Sequence, residues 1–320
     1  MLPPQAPRMT QPPKLILARD ALRLGTDREL HRRAASGSLT RLATGVFIPS
    51  KTWEKMLPDE RYRTKVHAAA SVSAPGTHFS HDSAAALWRL PSIGAWPPVV
   101  HELSARDTGG RSRAAITRHS LGLDPGATEL EGVTVTSLSR TVIDMSCTTP
   151  FVRAVVMADA ALRPAKGTTV GRTTTLELSE QLETLKPYRG SLKAQKVINF
   201  ATGKSESPGE SYSRVQFLAL GYPPPELQVD FYDELGWIGR VDFFWRHLGL
   251  ICEFDGLSKY GARRLYQRGL TLEQILMVEK KREDRLRRVS TDFVRLDFEK
   301  VENRRALAEY LRPHGLVELR

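Results

Sequence analysis

Three short apolar runs, Glu226–Tyr232, Gly239–Trp245 and Leu248–Phe254, follow one another with only the turns Glu234-Leu235-Gly236 and Arg246-His247 between them. Connections that short join strands lying side by side and antiparallel, because a parallel pair needs a crossover of a dozen residues or more. A helix is predicted before them, from about Pro208 to Leu220 and closed by Gly221. After them the spacing predicts a long charged helix over Thr271–Val289, a strand over Asp292–Leu296 and a last helix over Glu299–Leu311. The order is αβββαβ with a terminal helix, and it defines a carboxy-terminal domain over 193–320.

The meander carries acids where a buried strand normally would not. In Leu250-Ile251-Cys252-Glu253-Phe254-Asp255-Gly256 the side chains alternate, so Glu253 and Asp255 share one face, and Asp242 on the preceding strand reaches it across the ladder. Carboxylates grouped on an apolar strand call for a cation to offset them. Mg²⁺, or Mn²⁺ in its place, takes hard oxygen ligands, so Asp242, Glu253 and Asp255 form a candidate metal set, with Glu210 on the preceding helix adding a further oxygen. Lys259, just beyond Gly256, is placed to steer water or offset phosphate charge, which completes a candidate catalytic set for phosphodiester hydrolysis. The competing reading pairs these acids with Arg240, Arg246 or the charged helix at a solvated strand end.

The rest of the chain divides by composition. Residues 1–13 read as a Pro-rich disordered tail. Over 14–50, Leu15, Ile16, Ala18, Leu22 and Leu24 have helical spacing; Thr26-Asp27-Arg28-Glu29 is a capping box opening a basic helix, and Leu39–Pro49 reads as a hairpin, the outline of a winged helix-turn-helix. Its candidate DNA contacts are Arg28, Arg32, Arg33 and Arg41. Residues 59–162 read as a mixed α/β region, with helices at 60–73, 83–90 and 150–162 and strands at 99–103, 115–121 and 133–137. Residues 163–192 read as a linker around one helix, 176–185. The fold class expected is therefore multidomain α+β and α/β.

Within that region His81-Asp82-Ser83 has the letters of a hydrolase triad without its geometry, and Ser80 reads instead as the cap of the following helix. His67, His78, His101 and His119 show no metal-ligand spacing, and no phosphate-loop or dinucleotide fingerprint is present.

Charge adds a partner class. Lys and Arg number 47 against 36 Asp and Glu, a formal net charge of +11, which favours a polyanion such as DNA. Lys280, Lys281, Arg282 and Arg285 on the charged helix are the second group of candidate DNA contacts, a solvated helix with internal ion pairs being the alternative. With 41% hydrophobic residues the chain is not a disordered one, and two cysteines, Cys147 and Cys252, do not make a disulfide scaffold. No apolar run approaches the roughly 18 residues of a membrane span, and a cytoplasmic location with no membrane partner is expected.

Residues 205–300 resemble the DUF559 family, a branch of the PD-(D/E)XK nuclease superfamily related to very-short-patch-repair endonucleases. The matching stretches are Ser207-Pro208-Gly209-Glu210-Ser211, Gln228, Gly239-Arg240-Val241-Asp242-Phe243, Glu253-Phe254-Asp255-Gly256, Lys259-Tyr260-Gly261 and Glu279–Asp284 through Arg295. Residues 14 to about 160 resemble the AbiEi-type antitoxin region of actinobacterial proteins, through the winged-helix outline, Ser80-His81-Asp82-Ser83-Ala84-Ala85 and Val135–Thr141. The first resemblance implies a restriction-endonuclease-like core with Asp242 and Glu253 as metal ligands. One departure stands out: the superfamily has Lys two residues after the acid, and this chain has Asp255 there, with Lys259 or Lys281 as candidate replacements. Two functions are therefore expected in competition. One is a DNA-binding, Mg²⁺-dependent endonuclease of phage defence or DNA repair. The other is a non-enzymatic transcriptional regulator or type IV antitoxin with an inert nuclease fold, whose partners are a promoter and a cognate toxin.

Overall fold

A computed structural model describes residues 14–105, 115–164, 173–255 and 271–318. The chain is a mixed α/β protein that divides into two compact units, residues 1–201 and 202–320. Among the described residues, no helix is long and apolar enough to cross a membrane.

The first unit opens with β1 (Ile16–Leu17), α1 (Ala18–Arg23), α2 (Asp27–Ala35) and the hairpin β2 (Leu39–Ala43) and β3 (Val46–Pro49). Ile16 and Leu17 do not belong to the expected helix. They pair with Phe47 and Val46, and make a three-stranded sheet of order β1-β3-β2. An apolar pair suits a strand as well as a helix, and here a neighbouring strand edge was available to bond its backbone. Thr26 sits at the start of α2, but its hydroxyl donates back to the Ala21 carbonyl at 3.3 Å, so the expected capping box is not formed. Ala21, Leu30, Leu39 and Phe47 close a small core that holds α2 against the hairpin.

Next come α3 (Ser50–Lys55), α4 (Pro58–Ala70), α5 (His81–Leu87), the parallel pair β4 (Val100–Leu103) and β5 (Ile116–His119), and the antiparallel pair β6 (Thr128–Leu130) and β7 (Val133–Val135). Phe79 bridges Glu102 of β4 and Val135 of β7. Tyr62, Val66, Phe79, Leu87, Val100 and Val135 form the core there. Four helices complete the unit: α6 (Leu138–Thr148), α7 (Phe151–Leu162), α8 (Thr175–Leu185) and α9 (Ser191–Phe200). Of these, α6 and α9 are not among the helices expected from the sequence. Since α9 packs on α6, α7 and α8, the second unit starts at Thr202 and not at 193.

The second unit has the expected order of elements: α10 (Pro208–Ala219), β8 (Glu226–Asp233), β9 (Gly236–Trp245), β10 (Leu250–Phe254), α11 (Leu272–Val289), β11 (Asp292–Leu296), α12 (Phe298–Glu302) and α13 (Arg304–Leu311). The expected last helix is two helices, because the Asn303 side chain caps a new start by accepting from Arg305 and Ala306 N–H. The sheet order is β11-β10-β9-β8, with β10 and β11 parallel and the other pairs antiparallel. β10 is buried along its whole length, as expected of a strand covered on both faces. Its Leu250, Cys252 and Phe254 join Phe217, Phe243, Trp245 and Leu307 on one face, and Ile251 joins Val241, Phe244, Leu286 and Phe293 on the other.

Candidate functional site

The acids of the second unit meet where β9 and β10 part. The ladder pairs Trp245 with Leu250, Phe244 with Ile251 and Phe243 with Cys252, and ends there. Two residues further along β10, the Phe254 N–H donates to the Asp242 carboxylate at 2.8 Å instead of to a neighbouring strand's carbonyl. A side chain thus replaces the missing backbone partner, as a buried amide requires. On the other side of β9, Gln228 of β8 holds a left-handed φ of 55°. That conformation is unusual for a residue with a side chain. Its amide donates to Asp242 at 3.3 Å and to Glu210 at 3.0 Å.

Glu210 comes from the first turn of α10. The Ser207 hydroxyl caps that helix by accepting from Glu210 N–H, Pro208 pre-sets its first turn, and the Glu210 carboxylate also accepts from Glu206 N–H at 2.7 Å. Gly209 lets α10 lie close to β10: a Cβ there would stand 1.9 Å from the Phe254 ring. The helix start is therefore pressed against the strand end that carries Glu253.

Electrostatically, Glu210 and Asp242 form one buried acid group. Burial raises the pKa of Glu210, and the Asp242 charge raises it further. Burial also raises Asp242, the Phe254 N–H opposes this, and the Glu253 charge adds to it. Among the described residues, no Lys or Arg hydrogen-bonds or ion-pairs with either carboxylate.

Glu253, though buried, is differently placed. Both its oxygens accept from Arg282 of α11, at 2.9 and 2.7 Å, a bidentate guanidinium–carboxylate pair. Arg282 also donates to Glu279 at 3.0 and 2.8 Å. Arg295 of β11, in register with Glu253, donates to Glu279 at 2.7 Å and lies 3.0 Å from Glu283. Asp255 lies beyond the end of β10 and is exposed, 3.9 Å from Arg295. The expected trio Asp242, Glu253 and Asp255 is therefore not gathered: strand alternation was extended one residue past the strand. Among the described residues, no group of three or more His, Cys, Asp and Glu is arranged to hold a metal ion. The oxygen set that does converge, Glu210 with Asp242, is of the hard type that Mg²⁺ and Mn²⁺ take, and its charge is not offset by any described cation. In that respect the residues present fit such an ion. Lys259 lies outside the described residues.

The candidate DNA contacts separate by partner. Arg28, Arg32 and Arg33 are exposed on α2, while Leu30 anchors its other face. Arg41 is exposed on β2, and its Nε donates to the Ala43 carbonyl at 3.3 Å. On α11, Lys280 and Lys281 are exposed, whereas Arg282 is spent on Glu253 and Glu279, and Arg285 on Asp233 at 2.7 and 2.5 Å. Those two arginines were expected to meet DNA because a helix sequence does not reveal which acids of other elements face it.

The first unit holds a constellation that spacing alone did not reveal. His81, His101 and His119, on α5, β4 and β5, come together because β4 and β5 pair in parallel. The His81 and His119 rings stack at 3.7 Å, and His101 Nδ1 and His119 Nε2 lie 2.9 Å apart. Burial pushes His101 and His119 down to about 4, so the cluster is neutral near pH 7. Ser80, expected to cap α5, instead shares a hydrogen bond with His81 Nδ1 at 3.0 Å. A cavity of about 770 Å³ in the same unit, lined in part by Arg41, Trp53, Lys65 and Arg118, contains none of the predicted acids.

No family model matches the chain. It is 32% identical over 106 residues to two uncharacterized proteins of Mycobacterium tuberculosis, Rv2248 and MT2308. The match covers 33% of this chain and 37% of each relative, so the chain spans little more than a third of the curated relatives' length.

Proposed function

We propose that the second unit is a metal-dependent DNA endonuclease of the PD-(D/E)XK type, as in the DUF559 family, and that the first unit, with a winged helix-turn-helix over 14–50 and an AbiEi-like region after it, holds duplex DNA. The observation that carries this reading is the buried pair Glu210 and Asp242, bridged by Gln228 with no described cation beside it. Two acids in that setting are costly unless a cation joins them. Asp242 and Glu210 would hold Mg²⁺ or Mn²⁺, with Glu253 next to them on β10. Such an ion, when bound, polarises a phosphate ester and lowers the pKa of water. The chain's own contribution is orientation: the Phe254 N–H and the Gln228 amide fix Asp242, and Arg282 fixes Glu253. Phage defence or DNA repair is the setting this activity suits.

The test is incubation of the full chain with supercoiled plasmid and single-stranded DNA, with Mg²⁺ or Mn²⁺, beside Asp242→Ala and Glu253→Ala. Metal-dependent cutting by the wild type, lowered at least about a hundredfold in Asp242→Ala, is expected. Equal, metal-independent traces in all three proteins would sink the enzyme reading. A second reading, a non-enzymatic regulator or antitoxin acting at a promoter or on a cognate toxin, is favoured by one observation. The Glu253 oxygens are already satisfied by Arg282, and Asp255 stands where the superfamily has lysine.

A further inference from the structure

We propose that Arg295 is the phosphate-contacting cation of this site, serving in place of the lysine that position 255 lacks; the inference rests on the nuclease reading above. Two guanidinia lie on the Glu253 face of the sheet, and their hydrogen bonding separates them. Arg282 spends four of its five N–H donors inside the protein: its Nε goes to Glu279, one N–H of its Nη1 to Glu253, and its Nη2 to both. Arg295 is tethered at one corner only. Its Nη2 meets Glu279 and Glu283, while its Nε has no hydrogen-bond partner and its Nη1 stops 3.9 Å from Asp255, beyond bonding reach.

The backbone places Arg295 beside Glu253. Arg295 is the register partner of Glu253 on the parallel strand β11, so the two side chains leave the same face side by side. The guanidinium lies 3.8 Å from Glu253 and 3.9 Å from Asp255, which places its positive charge at the strand end where a lysine at 255 would start. The Nε is buried, whereas the side chain as a whole is 31% exposed, so Nη1 is the donor that a ligand from solvent reaches. A planar guanidinium held at Nη2 with Nη1 open presents a directed donor to a phosphate, a fork rather than a point charge. Glu279 and Glu283 then act as the anchor that aims it.

The test is equilibrium binding of a fluorescent DNA duplex to the full chain in Ca²⁺, across a salt series, with cleavage in Mn²⁺ measured in parallel. Arg295→Met is expected to bind about tenfold more weakly, as for a lost charged hydrogen bond, and to lower the salt slope by about one. Adding Asp255→Lys to Arg295→Met is expected to restore most of the affinity and the slope. A purely structural Arg295 would give no such rescue, and that result overturns the proposal. Wild-type affinity and slope in Arg295→Met overturn it as well, while leaving the nuclease reading intact if the wild type cuts. Binding and rescue as expected with no cutting in any metal would instead reject the nuclease reading and uphold the phosphate contact. A wild type that binds no DNA overturns both. Should Arg295→Met fail to fold, Arg295→Lys decides: about threefold weaker binding at unchanged slope supports the fork, and wild-type binding contradicts it.

Discussion

Glu210 and Asp242 are acids that folding pushes toward their protonated forms. Burial and the Asp242 charge lift Glu210 from 4.5 to about 8, and burial and the Glu253 charge lift Asp242 from 3.8 to about 6. Between those limits the folded chain holds protons that the unfolded chain has released, so both groups lower stability as pH rises through that window. Replacing Glu210 by Gln removes the charge and keeps the shape. The Glu210→Gln variant is therefore expected to melt about 5 °C higher than wild type at pH 8, with the gap closing by pH 5, as read by thermal unfolding at both pH values. Much of this site was legible from residue types: strand alternation located Asp242 and Glu253, and the helix start Ser207-Pro208-Gly209-Glu210 marked the acid before them. What was not legible is each acid's partner. Nothing local in Arg282 says that it faces Glu253, 29 positions away, rather than a phosphate, and nothing in Gln228 announces a left-handed backbone that brings two carboxylates to one amide.

Elements were easiest to read where connections are short. The turns between β8, β9 and β10 leave one topology open, so among the described residues the αβββαβ order of the second unit agrees with the structure. Where the chain has several neighbours to choose from, local pattern was ambiguous. Ile16 and Leu17 became a strand because β3 offered an edge, and the three histidines met through a parallel pairing that no spacing rule encodes. The contact between α10 and β10 depends on one atom's absence. With the added Cβ of Gly209→Ala 1.9 Å from the Phe254 ring, the helix start must shift. That substitution is expected to cost about 1–3 kcal/mol in urea unfolding of the full chain, and to lower activity together with stability because it moves Glu210. Unchanged unfolding would show that α10 does not lean on β10 as described.

Over the whole molecule the positive charge is unevenly shared. Residues 202–320 contain 20 Lys and Arg against 19 Asp and Glu, and residues 1–201 contain 27 against 17. The net charge of +11 therefore belongs almost entirely to the first unit, although the sequence shows basic clusters near both ends. Among the described residues of the second unit, acids of β8, β10 and α11 pair with Arg240, Arg246, Arg282, Arg285, Arg287 and Arg295. The proposed function would then divide between the units, with non-specific DNA affinity in the first and phosphate chemistry in the second. Combining Arg28→Ala, Arg32→Ala and Arg33→Ala is expected to lower the salt slope of DNA binding by about three. The Lys280→Ala and Lys281→Ala pair should lower it less, and the reverse ranking would relocate the footprint to α11. The reading as a whole stands on a cation joining the two buried acids of the second unit. Calorimetric titration of the metal-free full chain with Mn²⁺ at pH 7.5 tests this directly. Saturable binding in the wild type, abolished in Asp242→Asn and weakened at least about tenfold in Glu210→Gln, is the expected result; a wild-type titration indistinguishable from that of Asp242→Asn would contradict it.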